Sequence, residues 1–157
     1  MPTYPASTGR ACERTQAHLA KCKACVVVRE DASNPAVTSP REAVAYFAVM
    51  REAAQERFSV LYLNTRNQSL GVECVAVGGL NVAGLQPREV FGPALMKGAA
   101  GVILAHNHPS GDPTPSPEDL AVTRHLQEAG RLLGVEVLDH LVVAVDRFKS
   151  LRESGAL

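Results

Sequence analysis

The chain has 157 residues, 46% of them hydrophobic, enough to bury about two thirds of its unfolded surface in one core but too few for two full domains. Sixteen Lys and Arg balance sixteen Asp and Glu, so no global field draws in a phosphate backbone, and direct nucleic-acid binding is not expected. No stretch approaches the roughly 20 uninterrupted apolar residues of a membrane span, and residues 1–25 lack the apolar core of a signal peptide, so a cytoplasmic protein without a membrane partner is expected.

Residues 1–38 have mixed polarity and little periodicity and read as an irregular N-terminal arm, with a short strand at Val26–Val28. Cys12, Cys22 and Cys25 crowd this arm, with His18 between the first two. Cys22 and Cys25 form a single CxxC that reads as half of a zinc site, as a redox pair, or as plain thiols on an arm.

Residues 39–157 read as the organised domain. "SPRE" (39–42) is a helix start: Ser39 caps, Pro40 suits the first helical position and Glu42 closes a capping box. The pattern predicts a helix to about Gln55 that buries Val44, Phe47 and Met50. "RFSVLYLN" (57–64) and "SLGVECVAVGG" (69–79) flank the polar turn "TRNQ" and predict a β-hairpin. Pro87 opens a second helix that Gly98 ends. "AAGVILAHNH" (99–108) is a continuous apolar run suited to a strand buried on both faces. "SPED" (116–119) starts a helix reaching about Leu133–Gly134, and "VEVLDHLVVAV" (135–145) is a last strand. The order helix, hairpin, helix, strand, helix, strand predicts an α/β fold, a mixed sheet flanked by helices.

The chemistry concentrates in "AHNHPSGDPTPSPED" (105–119). Strand alternation points His106 and His108 the same way and Asn107 the opposite way, so both imidazoles can converge on one ion. A loop stiffened by Pro109, Pro113, Pro115 and Pro117 returns the chain toward the strand end, with Asp119 in the first turn of the next helix. Two imidazoles and a carboxylate are a common catalytic zinc set with a fourth position for water. Asp119 also reads as an ordinary helix-start acid, three residues after a capping serine.

The string H-x-H-x7-S-x2-D resembles the JAMM (MPN+) metalloprotease signature. With "PREVFGPAL", "VLDHLVV" and "SLRESGAL" it is similar to the RadC branch of that JAB/MPN superfamily, over roughly residues 40–157. The resemblance implies a cytidine-deaminase-like α/β fold and Zn2+ held by His106, His108 and Asp119. It also implies that Ser116 assists catalysis through a hydrogen bond to the reacting oxygen, and that a catalytic glutamate lies on or just before the first strand. Glu56 in "QERFSVLYLN" matches that place, with Glu52 and Glu73 as alternatives. The chain departs from the RadC pattern at Asn64, Gly79 and Gly98. Asp139–His140 recurs in the family and reads as a buried polar pair bracing the core near the metal. His125 reads as a surface residue, and Arg88 and Glu89 as an ion pair or as a groove rim.

The resulting expectation is a zinc-dependent metallohydrolase acting on a peptide or protein substrate. A deaminase would need H-x-E with a downstream P-C-x-x-C, and no cysteine follows Cys74. The rival expectation is a non-catalytic zinc-binding accessory domain associated with DNA repair or mobile-element DNA metabolism. The RadC name supports that alternative. Fold alone does not decide between the two.

Overall fold

The hairpin of β-branched and aromatic residues forms as the pattern requires: β1 (Arg57–Leu63) pairs antiparallel with β2 (Ser69–Val77). Their connection is organised by Asn64, whose Oδ1 accepts from the backbone N–H groups of Arg66 and Gln68 at 2.8 and 3.0 Å. Asn67 in the same turn has φ 58°, a left-handed geometry that asparagine tolerates better than most residues. The computed structural model describes residues 34–78 and 85–157. The expected strand at Val26–Val28, the three N-terminal cysteines and Gly79 lie outside the described residues.

The continuous apolar run becomes β3 (Gly101–Asn107), buried along its whole length. It pairs antiparallel with β1 and parallel with β4 (Glu136–Val143). A parallel neighbour needs a crossover, and a helix of seventeen residues, Pro117–Leu133, supplies it. A short strand that the sequence reading did not anticipate, β5 (Phe148–Ser150), closes the sheet in the order β2-β1-β3-β4-β5. Three residues are too few to show a hydrophobic period.

Helices cover both faces, in keeping with the mixed α/β class. α1 (Pro40–Ala45) lies on one face, where Ala43, Val44, Phe47 and Met50 pack against Leu61, Leu63, Ile103 and Ala105. α2 (Pro87–Lys97) and α3 (Pro117–Leu133) lie on the other. There Val90, Phe91, Val122 and Leu126 meet Phe58, Val60, Tyr62 and Leu104. Gly98 ends α2 at φ 65°, a left-handed position that suits glycine.

One expectation is corrected. The helix predicted from Ser39 to about Gln55 stops at Ala45 and resumes as one 3-10 turn, Ala48–Met50. Val44, Phe47 and Met50 are buried as expected, but their uniform spacing of three matches the three-residue 3-10 turn better than 3.6 residues per turn. Contacts to the hairpin also reach N-terminal to Ser39. Ala36 bridges Gln68, the Val37 N–H donates to the Asn67 carbonyl at 2.8 Å, Val37 is buried, and Asn34 Nδ2 donates to the Ser69 carbonyl. Residues 34–38, read as arm, are therefore tied to the hairpin.

Candidate metal centre

The C-terminal end of β3 and the first turn of α3 meet at one point. Alternation along β3 turns His106 and His108 to the α2/α3 side. The capping box at Ser116 fixes the start of α3 and sets Asp119 against them. Ser116 N–H and Oγ both donate to Asp119 Oδ2 at 2.7 Å, and the Asp119 N–H donates to Ser116 Oγ at 3.1 Å. One carboxylate oxygen is thereby satisfied, and the other faces the histidines.

The Nε2 atoms of His106 and His108 lie 3.0 Å apart. His106 Nε2 is 3.2 Å from Asp119 Oδ1 and His108 Nε2 is 3.5 Å from Asp119 Oδ2. Among the described residues these three form the one group of His, Cys, Asp or Glu whose ligand atoms fall within 4.8 Å of one another. His106 and Asp119 are buried, and His108 sits at the rim.

The donor set suits a cation. His108 Nδ1 is 2.7 Å from the Asp112 carbonyl oxygen, which can only accept, so the neutral ring carries its proton on Nδ1 and turns a bare Nε2 toward His106 and Asp119. Two nitrogens and a carboxylate oxygen around one small volume fit a divalent ion that takes N and O ligands. Burial opposes ionisation of Asp119, but the hydrogen bond and charge that His106 supplies in its protonated form, with the two bonds from Ser116, prevail and hold its carboxyl well below the ordinary range. The charged form that a metal needs is therefore the stable one.

A further histidine stands behind the group. His140 is fully buried, with Nε2 2.8 Å from His106 Nδ1 and Nδ1 2.6 Å from Thr123 Oγ1. Its burial, then the neighbouring His106, push its pKa well below the ordinary value. The expectation of a polar pair bracing the core holds in substance, but the two side chains serve different neighbours. Asp139 accepts from Ser150 Oγ at 2.7 Å and from the Arg152 N–H at 3.1 Å, joining β4 to the C-terminal turn.

Asn107 was read only as the residue pointing away from the ion. Its side chain, 1% exposed, holds the segment before β1: Oδ1 accepts from the Arg57 N–H at 2.7 Å, and Nδ2 donates to the carbonyls of Gln55 and Ala53 at 3.2 and 3.3 Å. Glu56 lies inside that clamped segment, partly buried, and its carbonyl accepts from the Gly78 N–H. Phe58 pairs with His106 at the end of the β1–β3 ladder, and Glu56 precedes that pair by two residues as His108 follows it by two. Of the alternatives, Glu52 is in an exposed turn, and Glu73 on β2 pairs with Lys97 at 3.0 Å. His125 is exposed as expected, and Glu89 is a capping residue that accepts from the Gln86 N–H.

Comparison with known proteins shows the family. The model of the RadC-like JAB domain matches residues 37–156, and the chain belongs to that family. Similar curated proteins include the UPF0758 protein of Moorella thermoacetica, 50% identical over 126 residues, 80% of this chain and 55% of that protein. The UPF0758 protein of Methanosarcina mazei is 48% identical over 120 residues, 76% of this chain and 52% of that protein. That of Geobacillus thermodenitrificans is 52% identical over 106 residues, covering 68% and 47% of the two chains. The chain spans about half the length of these relatives. Among the described residues no helix is long and apolar enough to cross a membrane.

Proposed function

We propose that the chain is a zinc-dependent hydrolase of the JAMM type that cleaves a peptide or isopeptide bond in a protein substrate. The observation that carries the reading is the convergence of His106 Nε2, His108 Nε2 and the Asp119 carboxylate at the end of β3. Zinc held by His106, His108 and Asp119 would supply Lewis-acid chemistry that makes water a nucleophile near neutral pH.

The chain's own residues supply the rest. Glu56, two residues before the Phe58–His106 pair, takes the proton of the attacking water and delivers it to the leaving amine. Ser116 becomes a hydroxyl donor to the oxygen that gains charge once its proton turns away from Asp119 Oδ2. Asn107 keeps the Glu56 segment against the end of β3, so the base does not drift from the site.

A second reading, metal binding without turnover as an accessory domain in DNA repair or mobile-element DNA metabolism, is favoured by one contact: the Ser116 hydroxyl proton is committed to Asp119 Oδ2. Zinc content of chelator-free protein, measured beside hydrolysis of a panel of peptide and isopeptide substrates, separates the two. Stoichiometric zinc with cleavage supports the hydrolase. Stoichiometric zinc with every substrate intact supports the accessory domain, and absence of zinc overturns both.

A further inference from the structure

Behind the three ligand side chains runs an unbroken line of buried polar contacts. Thr123 Oγ1 is 2.6 Å from the backbone carbonyl oxygen of Asp119, four residues earlier on α3. The same Oγ1 is 2.6 Å from His140 Nδ1, and His140 Nε2 is 2.8 Å from His106 Nδ1. Thr123, His140 and His106 are each at most 1% exposed. Water does not reach them to offer alternative partners.

Proton positions along this line follow from donor and acceptor capacity. A carbonyl oxygen has no proton, so the single hydroxyl proton of Thr123 must lie toward Asp119. The Thr123 oxygen then accepts from His140, which places the proton of that neutral, fully buried ring on Nδ1 and leaves its Nε2 bare. A bare Nε2 accepts, so His106 donates from Nδ1. The lone pair of His106 Nε2 is left facing His108 and Asp119.

We infer that Thr123 and His140 are positioning residues that lock His106 in the Nδ1–H tautomer, so that a ligand-competent Nε2 is presented before any metal arrives. The inference rests on the metal-site reading proposed above. The relay starts at the backbone of one ligand, Asp119, and ends at the ring of another, so the helix start and the strand end are set in one hydrogen-bonded circuit. Phe58 holds both rings in place: it stacks on His106 at 6.3 Å with a 5° interplanar angle and meets His140 edge-on at 5.3 Å. Hydrogen bonds of this outer kind commonly change metal affinity about 10- to 100-fold.

Long-range 1H–15N spectra of the chelated full chain at about pH 8, above the usual imidazole range, read the tautomers without any metal. The wild type is expected to show Nδ1–H at His106, His108 and His140. In Thr123→Val the hydroxyl is gone, His140 turns to Nε2–H, and His106 acquires an Nε2–H signal. Zinc affinity, read by competition with a chromophoric chelator, should fall about 10- to 100-fold, and Thr123→Ser should restore both readouts. An Nε2–H signal at His106 in the wild type overturns the inference. So does a folded Thr123→Val variant with wild-type tautomers and zinc affinity. If Thr123→Val does not fold, the wild-type and Thr123→Ser spectra decide by the same criterion. Failure of wild type to take up zinc overturns the metal reading instead, and the spectra still judge the tautomer lock.

Discussion

Asn107 reaches back from the end of β3 to Arg57, whose backbone N–H donates to its Oδ1 at 2.7 Å, while its Nδ2 donates to the carbonyls of Gln55 and Ala53. One buried side chain thus ties the end of β3 to the segment that contains Glu56. Replacing it with alanine leaves partly buried backbone groups without partners, at a cost of up to about 1–3 kcal/mol each where water cannot replace the bond. Asn107→Ala is expected to lower the urea midpoint while keeping stoichiometric zinc, and to lower kcat on any substrate the wild type cleaves. An unchanged midpoint would show that Asn107 does not clamp this segment.

His106→Ala and Asp119→Ala should each abolish stoichiometric zinc. Each removes one of the three proposed protein ligands, and a two-ligand site would hold zinc far less tightly. Metal analysis after dialysis against metal-free buffer checks this, with circular dichroism to confirm folding. Full zinc retained by both variants contradicts the ligand set.

Glu56→Gln should keep zinc and lose hydrolysis by about 10²- to 10⁴-fold, because the amide preserves shape but cannot accept a proton. The contrast with the ligand variants separates chemistry from metal binding. Wild-type turnover by Glu56→Gln would remove Glu56 as the base.

Acid should weaken the metal-free protein partly through Asp119. Its folded pKa lies below its unfolded value, so its contribution to stability is fully present above about pH 4, near the ordinary aspartate value, and is lost as pH falls through the depressed folded value. Urea midpoints of chelated protein at about pH 5 and about pH 3 should therefore differ more in the wild type than in Asp119→Asn, which has no proton to bind there. Equal differences in the two proteins would show that Asp119 carries no such linkage.

Val37→Ala should cost about 2 kcal/mol. Two methyl groups are lost at about 0.8 kcal/mol each, with a further term for the cavity. The side chain is 7% exposed and lies in the cluster with Phe47 and Leu63. A midpoint within error of wild type would return residues 34–38 to the status of a loose arm.

What the sequence determined by itself was local. The H-x-H pair at a strand end, the Ser116 cap with Asp119 three residues on, and the hairpin each depend on periodicities of two or 3.6 residues and on nearby caps, which a single chain displays openly. The three ligand candidates, the mixed sheet and the helices α2 and α3 followed from those short-range rules. The early end of α1 escaped because spacing of three satisfies both helical windings, and packing chose between them.

The surroundings of the site were decided by tertiary structure. Leu138 and Leu141, three apart on β4, both pack on the α1 side, where strict alternation would part them. The register slips between Val102 and Ile103, which face Val137 and Asp139. This bulge shifts the side-chain parity by one residue and brings His140 round to His106. A bulge is set by how β4 fits against β3 and α3, so the sequence of β4 alone does not display it. The same holds for Asn107 and Thr123, whose bonds to Ala53, Gln55, Arg57 and His140 join residues 17 to 54 positions apart. Such partners are chosen by what the folded sheet brings within reach of a buried polar group that must be satisfied, and no spacing along the chain encodes them.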